Sequence, residues 1–139
     1  VFFFSTHQSP WYPGTGAREE TGEGAGKGTT LNCPFAAGAG AAEILGAFRE
    51  QLVPKMAEFQ PEFVILSAGF DSRAGDPLGR FQLRDADFAA LTATMLELAD
   101  KHAKGRLLSM LEGGYSLSGL AAAASAHVQA LRGGIQSRG

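Results

Sequence analysis

The sequence predicts an α/β fold, a parallel sheet flanked by helices, present as a partial domain. Three observations lead there. Short apolar runs alternate with helical patterns: FVILS at 63–67, a helical segment at 85–105, RLLSML at 106–111 and an alanine-rich segment at 118–131. Alternation of this kind implies parallel strands with helices on the faces of the sheet. The loops after FVILS and RLLSML carry glycines, an aspartate and a tyrosine, at the strand ends where sites form in such sheets. The chain also opens at Val1 inside an apolar strand pattern, VFFFS, which reads as a fragment of something longer.

Each element has its own signal. VFFFS (1–5) reads as a buried strand, followed by a loop over 6–28 that is rich in glycine and contains Pro10 and Pro13. Loops longer than about 12–15 residues are usually functional or disordered. TTLNCPF (29–35) reads as a short strand. Over 38–59, Leu45, Phe48, Leu52, Met56 and Phe59 recur at steps of three and four, one face of a helix, with Pro54 placed to kink or divide it. In the segment 85–105, Asp85 is the expected N-cap and Gly105 the expected stop, with Phe88, Leu91, Met95, Leu98 and His102 on one stripe. The final helix is expected to lie close against the sheet. RGGIQSRG reads as a frayed end, giving a division into 1–132 and a flexible tail at 133–139.

Composition bounds the function. The 139 residues are 45% hydrophobic, enough for a core, and the formal net charge is −2. That balance argues against non-specific nucleic-acid binding, which needs a basic surface. A single cysteine, Cys33, excludes an internal disulfide and a cysteine zinc cluster. It fits a reducing compartment, and a cytoplasmic location is expected. No apolar run reaches the ~18–20 residues of a membrane span.

The candidate residues emerge from position. Asp71 reads as a metal ligand or general base, or as an aspartate closing its own turn through its side chain. Asp76 precedes Pro77 and reads as a structural turn starter. Arg73 is expected to pair with a neighbouring acid. Tyr115 comes after a double glycine and reads either as a hydrogen-bond donor to a developing oxyanion or as a half-buried packing tyrosine. If the two strands are neighbours, Asp71 and Tyr115 share one edge of the sheet. TGEGAGKGTT fails the P-loop pattern, having Thr21 and Gly28 where Gly and Ser or Thr are required. His7, His102 and His127 form no ligand cluster by spacing. His7 is expected to anchor backbone, and Cys33 to be a small buried residue.

Taken in order, STHQSPWYPGTG, TLNCP, SAGFDSRAGDPLG and LEGGYSL resemble the C-terminal half of the zinc-dependent histone deacetylase family, which includes bacterial acetylpolyamine amidohydrolases. The resemblance runs from Val1 to about Leu131, and FDSRAGDPLG is similar to bacterial-type members in particular. It implies an arginase/deacetylase-like fold and a hydrolase that removes acetyl groups from acetyl-lysine or a related N-acetylated amine through zinc-activated water. By the same resemblance Asp71 is a zinc ligand, and Tyr115 is the catalytic phenol at the substrate carbonyl. Tyr12 and Leu78 line the acyl-lysine tunnel, Gly113 borders it, and Ser5 and Thr6 help to hold a potassium ion. A zinc ion polarises an amide carbonyl and brings its water toward pKa ~7.

One departure is large. The family's paired catalytic histidines, and the Asp-x-His segment with the other two zinc ligands, precede the part that resembles Val1 onward. The implied partners are therefore an acetylated lysine side chain or acetylpolyamine and the missing N-terminal half of the same domain, with no direct nucleic acid and no membrane. The isolated chain is expected to be inactive. The alternative is a non-catalytic truncated relative that acts as a binding or assembly module.

Overall fold

The computed structural model describes residues 1–136. Strand β1 (Phe3–Gln8) pairs in parallel with β2 (Thr30–Phe35), and β3 (Val64–Ala68) pairs in parallel with β4 (Leu107–Leu111). Parallel pairing was expected, but the two pairs are separate two-stranded sheets among the described residues. β1 runs three residues past its expected end, so His7 and Gln8 are strand residues rather than loop.

The helices fill the space between. α1 (Ala41–Gly46) passes through a π-helical turn, Ala47–Leu52, into α2 (Val53–Phe59). The Val53 N–H reaches the Phe48 carbonyl, one residue farther than in an α-helix. Pro54 explains the irregularity, because it has no N–H for the α-helical ladder. α3 spans Asp85–Ala103. Asp85 is its first residue and not its cap: the carboxylate of Asp87 accepts the Arg84 N–H at 2.7 Å and closes the helix start. Asp85 is turned instead toward Arg73, whose Nε–H and Nη2–H donate to its two oxygens at 2.6 and 3.2 Å. The two side chains are 28% and 40% exposed, and surface pairs of this kind contribute about 1 kcal/mol. Its use is geometric, since it ties the loop after β3 to α3.

α4 runs Leu117–Gln136, so positions 133–136 of the expected tail are helical, and 137–139 lie outside the described residues. α3 and α4 pack together, with Ala99, Ala103 and Ala123 fully buried. Small side chains let the helices and the β3–β4 pair approach closely. The largest core cluster, which includes Ile44, Phe70, Leu83 and Phe88, sits below the loop after β3.

His127 is buried within this packing. Its Nδ1 lies 2.6 Å from the Thr92 hydroxyl and its Nε2 lies 2.8 Å from the Ser109 hydroxyl. Burial lowers the His127 pKa from its ordinary 6.5. The native state therefore binds fewer protons than the unfolded chain between the two values. Stability from this residue is fully present above pH about 6.5 and is lost as pH falls through that value toward the lower folded one. Thermal melts should show a falling midpoint as the pH drops below about 6.5. His127→Gln should remove that part of the slope, and an unchanged slope in the variant would assign it elsewhere.

The opposite face of β3–β4 is bare. Ile65 is 64% exposed, Leu108 47% and Met110 55%. Parallel strands are ordinarily covered on both faces. Apolar surface of this kind, with open strand edges, favours association. Size-exclusion chromatography with light scattering should find the 139-residue chain self-associated; a clean monomer across micromolar concentrations would contradict this.

Candidate active site

β3 and β4 end together, so the loops beyond them leave the sheet side by side. The ladder continues past the strands: Glu112 N–H donates to the Ala68 carbonyl at 3.0 Å, and Phe70 N–H donates to the Gly113 carbonyl at 2.9 Å. Asp71 and Tyr115 come just after these links. Both reach one cavity of about 780 Å³, which is lined from β1 as well as from β3 and lies between the two strand pairs.

The Asp71 carboxylate sits in a space cleared by glycine. A Cβ on Gly113 would fall 2.6 Å from Asp71 Oδ2, and one on Gly69 would fall 3.2 Å from Oδ1. Burial pushes the Asp71 pKa above its ordinary range. Repulsion from Asp76 and Glu112 adds to that shift, while the backbone N–H groups of Asp71 and Ser72 oppose it. A partly buried carboxylate of raised pKa at a cleft is a marker of functional sites.

Tyr115 is about half exposed and lines the cavity, and its backbone is fixed. The fixing group is Asp76. Its Oδ1 accepts N–H groups of Leu78 and Gly79 at 2.9 and 3.0 Å, and its Oδ2 accepts the Tyr115 N–H at 2.8 Å. The structural role expected for Asp76 is thus present, but it reaches a loop 39 residues away as well as its own turn. A turn motif carries no sign of so distant a partner.

Of the other expected residues, Ser5, Thr6, Tyr12 and Leu78 line the same cavity, whereas Gly113 is not part of its lining and lies behind the Asp71 carboxylate. Leu78 and Tyr12 are exposed, at 53% and 92%, and Ser5 and Thr6 lie on β1. The Leu78 loop is pinned from the β1 side: the Gln8 side chain accepts the Arg80 N–H at 3.0 Å, and the Arg80 guanidinium lies 5.4 Å from the centre of the Trp11 ring. Neither Gln8 nor Arg80 stood out in the sequence.

His7 anchors backbone as expected. It donates Nε2–H to the Gly16 carbonyl at 2.9 Å, which leaves Nδ1 to accept from the Ser5 hydroxyl at 2.9 Å. Gly16 has φ of +96°, and a Cβ there would meet the imidazole at 2.5 Å. Asn32 holds the same loop from β2, donating to the carbonyls of Ala17 and Glu20. The glycine loop is a tightly turned, anchored segment. Cys33 is buried as expected, and its Sγ faces the Gln51 side chain.

A catalytic zinc takes three protein ligands and keeps a fourth position open. Among the described residues no three His, Cys, Asp or Glu side chains come together to hold a metal ion. Asp71 offers one carboxylate, so these residues alone do not make up a zinc site.

The family model described as "Histone deacetylase domain" matches residues 1–131. The chain belongs to the histone deacetylase family. It is 39% identical over 133 residues to "Histone deacetylase 14, chloroplastic" of Arabidopsis thaliana, covering 96% of this chain and 31% of that protein. It is 42% identical over 119 residues to a "Probable deacetylase" of Archaeoglobus fulgidus, covering 86% of this chain and 33% of that one. Among solved structures, that of the HDA15 HD domain superposes with a TM-score of 0.88 at 36% identity, covering 98% of this chain and 40% of that one. The chain thus has part of a histone deacetylase fold and spans about a third of the length of these curated relatives. No helix among its described residues is long and apolar enough to cross a membrane.

Proposed function

We propose that this chain supplies the carboxylate-and-phenol side of a deacetylase active site. The completed domain hydrolyses the acetyl amide of acetyl-lysine or of a related acetylated amine, such as an acetylpolyamine. The observation that supports this is the shared cavity: a histone deacetylase family member places a partly buried carboxylate of raised pKa and an aromatic hydroxyl at the ends of two paired strands.

In this reading Asp71 is one zinc ligand. The other two ligands and a general base would come from the remainder of the domain, and a zinc ion so held would polarise the acetyl carbonyl and make water more acidic. Tyr115 donates its phenolic hydrogen to the acetyl carbonyl and holds it more strongly as charge grows on that oxygen. Tyr12 and Leu78, both exposed in the lining of the cavity, flank the aliphatic stem of the acetylated amine. Gly113 leaves room beside the reacting amide. A potassium ion at Ser5 and Thr6, and a cytoplasmic location consistent with one free cysteine, belong to the same reading. The remaining elements of the domain complete the sheet at the cavity between β1 and β3, each of which pairs with a single strand among the described residues.

Acetate release from an acetyl-lysine peptide and from an acetylated polyamine tests the proposal, using the polypeptide that carries these residues with the rest of the domain. Release should stop with a chelator and return with zinc. The 139 residues alone should release none and should show no tight zinc site by calorimetry. No release by the zinc-loaded domain from either substrate would sink the reading.

A further inference from the structure

We propose that Asp76 is the positioning residue for Tyr115, setting the phenol against the Leu78 wall of the cavity by holding both loops with one carboxylate. This rests on the deacetylase reading and extends it. The two oxygens divide the work: Oδ1 takes the Leu78 and Gly79 N–H groups, and Oδ2 takes the Tyr115 N–H. All three donors are backbone groups, so the carboxylate fixes main-chain geometry. Leu78 and Tyr115 stay free to present their side chains to the cavity.

The surroundings make this link hard to replace. Gly114, next to Tyr115, has φ of +135°, and a Cβ there would meet Leu120 at 2.9 Å and Phe70 at 3.2 Å. The turn that carries Tyr115 therefore has a backbone that most residues cannot adopt. On the other loop, a Cβ on Gly79 would fall within bonding distance of the Asp71 carbonyl, so residues 71 and 79 are in backbone contact. Asp76 thus bridges a loop that touches Asp71 to the loop that carries Tyr115. Burial works to raise the Asp76 pKa, but the backbone N–H groups of Tyr115, Gly79, Leu78 and Ser116 outweigh it and lower the value. The ionised form, with acceptors on both oxygens, is the one the fold holds.

Asp76→Asn tests this with almost no change of shape. An amide keeps one oxygen acceptor but turns an NH₂ toward the donors of one loop, so one side of the bridge becomes donor against donor. The completed domain is assayed as wild type, Asp76→Asn, Tyr115→Phe and the double variant. Asp76→Asn should lower kcat about 10- to 100-fold, the scale of a catalytic group misplaced by about 1 Å. KM should move far less, and zinc content should stay at the wild-type level. In the Tyr115→Phe background the same change should cost less than about 2-fold, because the group it positions is already gone. An equal loss in both backgrounds would overturn the positioning role and leave the Tyr115 assignment standing. A Tyr115→Phe enzyme with full activity would overturn that assignment, and this proposal with it. Loss of zinc from Asp76→Asn would place its effect on the Asp71 side and also overturn the proposal.

Discussion

Asp71→Ala and Asp71→Asn should each reduce acetate release by the completed domain to background, the largest effect of any single change in these residues. If Asp71 is a zinc ligand as proposed, removing it takes away both the ion and the carbonyl polarisation that the ion would supply. Among the described residues no group of three His, Cys, Asp or Glu side chains could hold the ion in its place. The loss should be accompanied by loss of bound zinc, measured by metal analysis of the purified variants. A variant that keeps both its zinc and its activity would remove Asp71 from the site.

The same substitution separates catalysis from stability. Burial, with Asp76 and Glu112 adding repulsion, raises the Asp71 pKa above its ordinary 3.8. The native state binds more protons than the unfolded chain between the two values, so the ionised carboxylate costs stability above the folded pKa. That cost disappears as pH falls through the folded value to the ordinary one. Without metal, Asp71→Asn should therefore melt higher than wild type at neutral pH and gain nothing in strong acid. A lower melting point at neutral pH would mean that the carboxylate serves mainly to close its own turn.

Tyr115→Phe should lower kcat by about 10²–10³ with KM little changed, the usual cost of removing one donor to a developing oxyanion. The substitution deletes only a hydroxyl from a half-exposed ring, and the backbone link to Asp76 is untouched. Stability and zinc content should match wild type. A rise in KM at constant kcat would instead make Tyr115 a contact for the substrate stem. Because Tyr12 is exposed and faces the same cavity, it is the natural comparison. Tyr12→Phe should change neither parameter by more than about 2-fold if it acts through its ring alone.

What was readable in the sequence was local. Apolar runs marked β3 and β4 to within a residue, and their endings announced Asp71 and Tyr115. Period-3.6 patterns placed α3, and Pro54 announced the irregular turn before α2. Missed features depended on partners that no nearby residue reveals. Asp85 looked like a cap because it opens an apolar pattern, yet Arg73 draws it aside and Asp87 closes the helix start. His127 lay in a helical pattern with nothing to mark Thr92, 35 residues away, as its partner.

The order of motifs and the periodicity of apolar residues, read without coordinates, determined the fold class, the family resemblance and the strand ends that carry the candidate site. Only the tertiary structure decided that the strands form two separate pairs around a cavity, that Asp76 joins the loops of Leu78 and Tyr115, and that Gln8 secures Arg80 from 72 residues away. The reason is physical. Strand and helix signals arise from the spacing of side chains along the chain, whereas a hydrogen bond between distant loops exists only once packing has brought its donor and acceptor within about 3 Å.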